Sequence, residues 1–134
     1  MDALIIKKGI DFEAYIRWED NAGDLNTGVS AKAQIRQFTG SSEALAEFNT
    51  EGDAEGLIEF GSWPLELDSG STMTFNVKLS MPASETADLN WNNPAVIDAQ
   101  AVDSLGKTWP LLTEEDLDPV EILLKDSATE ADDA

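Results

Sequence analysis

The chain is written in alternation. Over residues 11–19, Phe12, Ala14, Ile16 and Trp18 fall on one side of an extended backbone and Glu13, Tyr15, Arg17 and Glu19 on the other. A strict period of two over that length predicts a half-buried β-strand. Turn chemistry follows at Asp20-Asn21-Ala22-Gly23,. The pattern returns over residues 30–38, where Ala31, Ala33 and Ile35 alternate with Lys32, Gln34 and Arg36. It returns again over 71–81, where Met73, Phe75, Val77, Leu79 and Met81 share one face and are expected to be buried. So long a run at period two leaves no room for a helix, and Pro82 ends it.

Shorter strands are expected at 4–7, 57–60, 95–102 and 120–124. Residues 43–49 read as a strand, with a helix start capped by Ser42 as the alternative. Residues 83–89 suggest one helical turn with Ser84 as its cap. Residues 61–70, with Trp63-Pro64 and the alternating Leu65 and Leu67, read as a connection. Turn signals recur at a spacing of roughly 8–12 residues, the mark of a β-sandwich or barrel. No repeat and no second domain are evident. Residues 1–125 form the expected domain, and 126–134 an acidic C-terminal tail.

Composition narrows the chemistry. The 134 residues are the usual size of one domain,. With 27 acidic and 8 basic residues the formal net charge is -19. Nucleic acid is not expected as a partner, because phosphate contacts need clustered Lys and Arg. There is no cysteine and no histidine, which removes disulfides, thiolate metal sites and the commonest general base. Ser and Thr have no histidine to activate them, so no enzyme and no catalytic residue are expected. Asp20-Asn21-Ala22-Gly23-Asp24 and Glu51-Gly52-Asp53-Ala54-Glu55 offer oxygen ligands for calcium. Neither fits the twelve-residue loop with its distal glutamate, and no cofactor or metal is expected. No apolar run approaches the ~20 residues that span a bilayer, so no membrane partner is expected. Ala3-Leu4-Ile5-Ile6 precedes Lys7-Lys8, the reverse of a signal peptide, which suggests synthesis in the cytoplasm.

Binding is the chemistry left. Trp18 sits at a core position of its strand. Trp63, Trp91 and Trp109 read as loop residues that pack over the ends of the fold or, if exposed, contact another protein or a carbohydrate,. Residues 113–134 carry nine carboxylates against Lys125 alone. That segment is either a solvated tail or an arm that docks on a neighbour. Val120, Ile122 and Leu124 could add a strand to another chain's sheet edge.

Several fragments together resemble a family. They are Ile6-Lys7-Lys8-Gly9-Ile10-Asp11-Phe12, Trp18-Glu19-Asp20 with its glycine turn, Leu25-Asn26-Thr27-Gly28, Ala31-Lys32-Ala33-Gln34-Ile35-Arg36, and Met81-Pro82-Ala83-Ser84-Glu85-Thr86-Ala87-Asp88-Leu89. They resemble small immunoglobulin-like structural proteins of tailed bacteriophages over roughly residues 4–112. Asn26 departs from the Asp or Leu usual before Thr-Gly, and the acidic tail extends past the family's last strand. The resemblance implies an all-β, immunoglobulin-like antiparallel β-sandwich of about seven to eight strands with an acidic C-terminal extension. It implies a virion protein that binds other virion proteins in many copies of a symmetric assembly, as a tail, baseplate or neck component. Capsid decoration and a carbohydrate- or receptor-binding module are the alternatives.

Overall fold

The structure, a computed structural model, describes residues 4–20, 22–112 and 120–125. In chain order the elements are β1 (Leu4–Lys7), β2 (Phe12–Ile16), β3 (Gly28–Arg36), β4 (Ala44–Asn49), β5 (Gly56–Glu66), β6 (Thr72–Met81), the helical turn α1 (Ala83–Thr86), β7 (Ala95–Asp103), β8 (Thr108–Leu112) and β9 (Val120–Lys125). The protein is all-β. The alternating segments at 11–19, 30–38 and 71–81 supply β2, β3 and β6, and 43–49 supplies β4.

The strands join in one sheet, in the order β1-β9-β7-β3-β4-β5-β6-β2. Strands β8 and β9 follow one another along the side of β7 that β3 leaves open: Val102 pairs with Thr108, Ala99 with Leu112, Ile97 with Val120 and Ala95 with Ile122. The end strands β1 and β2 are joined by residues 8–11 alone, so the sheet curls until its ends meet and is nearly a barrel. Thr86 fastens that closure: Gly9 N–H donates to its Oγ1 at 3.0 Å, and Oγ1 lies 3.0 Å from the Ile10 carbonyl. Inside lies one core, with Ile6, Ile35, Phe48, Val77, Leu79, Ala95, Ile97, Val120 and Ile122 fully buried. Phe12 packs its ring on Phe48 and Trp18 on Phe60, at centroid distances of 5.9 Å.

Four expectations are corrected. The sheet is mixed and has nine strands, because β1 pairs parallel with β9 and β4 parallel with β5. Residues 61–66 are strand and not connection: β5 runs on to Glu66 and forms a hairpin with β6 around Asp68-Ser69-Gly70. Pro64 is tolerated there because β4 accompanies β5 only at Gly56 and Leu57, leaving an edge that needs no N–H,. The cap of α1 is Pro82, whose side chain makes no capping hydrogen bond, and Ser84 lies inside the turn. Finally, β9 cannot augment another sheet. Its neighbours β7 and β1 use its two edges, and Val120 and Ile122 are at 0 % exposure in the core. Leu124 packs partly buried against that core, with its backbone held by Asn93 through N–H···Oδ1 and Nδ2–H···O bonds of 2.8 Å. The acidic tail at 126–134 lies outside the described residues.

Candidate functional site

The outer surface of the sheet has two unlike halves. Over the middle of β4, β3 and β7 the outward residues are polar and several bind one another, with Val96 and Val102 at the two ends of the β7 face. Cross-strand pairing sets Glu47 beside Gln34 and Gln34 beside Asp98, with Asn49, Lys32 and Gln100 in the next row. Gln34 and Asn49 each donate to Glu47 at 2.9 Å, and Arg36 donates to Gln34. Hydrogen bonds from Gln34 and then Asn49, with the nearby Lys32 ammonium, hold the Glu47 carboxyl below its ordinary value,. Glu47, Gln34, Asn49 and Arg36 thus satisfy one another.

The half over β5, β6 and β2 is built differently. Register sets Leu57, Ser80 and Glu13 in one row and Glu59, Lys78 and Tyr15 in the next. An irregularity between Phe60 and Trp63 then brings Trp63 opposite Phe75, followed by Leu65 opposite Met73. The Tyr15 ring lies 5.9 Å from Trp63 and 6.4 Å from Phe75. Tyr15, Trp63, Leu65 and Phe75 are half-buried yet stand outside the core cluster, so they cover one another; Leu57, also half-buried, stands apart beside Ser80. Met73 and Leu67 remain 37 % and 36 % exposed. The alternation of 71–81 places Met73 and Phe75 in the core. They stand instead past the end of the β2–β6 ladder at Ile16–Val77, where β6 runs on paired with β5. The signal was present in the symmetry of Trp63, Leu65 and Leu67 with Met73 and Phe75 about the turn.

Toward the β2 start the strip opens into a shallow groove of about 540 Å³ lined by Asp11, Glu13, Glu55, Leu57, Pro82 and Glu85. Lys78 pairs with Glu13 at 3.1 Å, and that hydrogen bond raises its pKa above the ordinary lysine value.

The three tryptophans expected in loops do not meet, and two of them are strand residues, Trp63 in β5 and Trp109 in β8. Trp63 belongs to the strip. Trp109 is a latch: its Nε1–H donates to Asp103 Oδ2 at 2.8 Å, its ring meets Trp18 edge-on at 6.4 Å, and Lys107 Nζ sits 4.2 Å above it. Trp91 lies partly buried on the core before the start of β7, at the opposite end. A cleft lined by all three is therefore absent. The carboxylates of the two acidic turns hold their own backbone and neighbours. Asp20 Oδ1 accepts from Ala22 and Asp24 N–H at 2.9 and 3.0 Å, and Glu55 Oε1 from Glu47 N–H at 3.1 Å. Asp53 accepts from Asn49 Nδ2 at 2.6 Å. Among the described residues no group of three or more such side chains is placed to hold a metal ion. The chain matches no protein-family description, no curated protein and no solved structure.

Proposed function

We propose that the chain is a protein-binding structural subunit of a tailed-bacteriophage virion, a tail, baseplate or neck component present in many copies. The observation that carries the binding role is the apolar strip of Tyr15, Trp63, Phe75, Leu65, Met73 and Leu67. Surface strands normally turn polar residues outward, and a contiguous run of aromatic and aliphatic residues there marks a contact surface. The strands beneath it set its side chains in a fixed register. The phage assignment rests on the resemblance of residues 4–112, which also carries the immunoglobulin-like reading of the all-β fold. The short β4–β5 pairing, which divides the sheet into two plates around one core, favours that reading.

The test is the chain's place in purified particles. A fixed copy number in a tail, neck or baseplate ring of an averaged map is the expected result. Copies spread over the head shell would make it a decoration protein, and absence from particles would overturn the assignment. The half-buried pair Trp63 and Tyr15 also suits a sugar ring. Binding on a glycan array that is lost in Trp63→Ala without loss of folding would replace protein docking by carbohydrate recognition.

A further inference from the structure

The strip also says what kind of partner it takes. Glu13, Glu55 and Glu85 line the groove at one end of it, Glu59 stands in the row of Tyr15, and Glu66 and Asp68 lie in the hairpin at the other end. Residues 59–75, which make the hairpin, contain neither Lys nor Arg. The two cations beside it are engaged with carboxylates of their own chain. Lys78 holds Glu13 at 3.1 Å, and Arg17 holds Glu19 at 3.2 Å while donating to the Thr74 carbonyl at 2.8 Å. Two copies meeting through this face would set acidic rim against acidic rim, on chains that each carry a net charge of -19. Like charges juxtaposed across an interface reject a partner, and opposite ones select it. The opposite outer half offers little match: Arg36 is tied to Gln34 and the Ser41 carbonyl, and the exposed Lys32, 4.0 Å from Glu47, is a single cation beside Glu47 and Asp98.

We propose that the β5–β6–β2 strip docks a different protein, one whose contact surface is apolar at its centre and basic at its rim. The inference rests on the protein-binding reading and adds the class of partner. Trp63, Leu65, Met73 and Phe75 supply the apolar contact, and the carboxylate rim supplies selectivity and a fast, salt-sensitive encounter.

The full chain can be tested with synthetic β-hairpin peptides carrying Val and Leu on one face and Lys at the rim. Matched peptides would carry Glu at the rim, or Ser in place of Val and Leu. Titration followed by tryptophan fluorescence should show binding of the Lys-rimmed apolar peptide alone. Its affinity should fall about tenfold between low and high salt. It should fall at least about tenfold in Leu65→Asp/Met73→Asp, whose positions lie outside the core and whose melting should be unchanged. Glu66→Lys/Asp68→Lys should shift preference toward the Glu-rimmed peptide. Equal binding of both rims, or binding indifferent to these variants, overturns the proposal. So does self-association in sedimentation that Leu65→Asp/Met73→Asp abolishes, since the occupant would then be a second copy. That last result leaves the structural-subunit reading intact, whereas absence from particles removes that reading and leaves the peptide result standing.

Discussion

Single side chains do much of the joining that the main chain leaves undone. The β2–β6 ladder ends at Ile16–Val77, and Asn76 continues it with its amide: Oδ1 accepts from Trp18 N–H at 2.7 Å, and Nδ2 donates to the carbonyls of Trp18 and Asn26 at 3.0 and 2.9 Å. Asn76 is 5 % exposed, so its loss strands buried polar groups. Asn76→Leu should cost about 2–4 kcal/mol, read as a lower urea midpoint with unchanged slope. Gly56 matters for space. A Cβ there would stand 2.2 Å from the ring of Phe48, which is fully buried and has nowhere to go. Gly56→Ala should cost about 1–3 kcal/mol in the same measurement. Asp103 ties the β7–β8 turn by accepting from Trp109 Nε1 and from the N–H groups of Leu105 and Lys107 at 2.8–2.9 Å. The Trp109 bond, then the Lys107 backbone bond, holds its pKa below the ordinary aspartate value. A carboxyl with a depressed folded pKa stabilises above its unfolded pKa of about 3.9 and loses that contribution as pH falls through the folded value. The melting difference between the native chain and Asp103→Asn should therefore be full above about pH 5 and shrink below about pH 4. None of these roles shows in the alternation pattern, because Asn76 sits at a nominally outward position and Gly56 and Asp103 read as turn residues.

At the scale of elements, β9 is the strand whose meaning changed most. Its sequence follows an acidic stretch and invites reading as a docking arm, yet Val120 and Ile122 fill the core between β1 and β7. Burying two such side chains contributes about 1.5–3 kcal/mol each, a large share of the roughly 5–15 kcal/mol that holds a domain. A chain ending after Leu112 should fail to fold by circular dichroism, whereas one ending after Lys125 should melt as the full chain does. Strands with clean alternation, β2, β3, β6 and β7, were legible. The far half of β5 was not, because Gly61, Ser62 and Pro64 interrupt the period just where the ladder is irregular. Alternation reports which residues share a face and is silent on whether that face is covered, so the strip was half legible: its residues stand out, their exposure does not.

For the whole molecule, the all-β class was legible from strand count and turn spacing. The parallel pairings were not. Leu4 meets Ile122 through closure of the entire sheet, and Phe48 meets Gly56 across the short connection 50–55, neither of which the alternation encodes. That closure is uneven. Among the described residues β4 and β5 share the register pairs Phe48–Gly56 and Asn49–Leu57 alone, and the other junction, between β1 and β2, hangs on the Thr86 hydroxyl. Two thin seams on opposite sides of a cylinder make a clasp. The plate of β5, β6 and β2, which bears the docking strip, is expected to open as a unit before the rest,. Thr86→Val should quicken amide exchange at Gly9 and along the seams well before it affects β3 and β7. A partner gripping that plate would then be felt across the molecule as a slowing of this one opening.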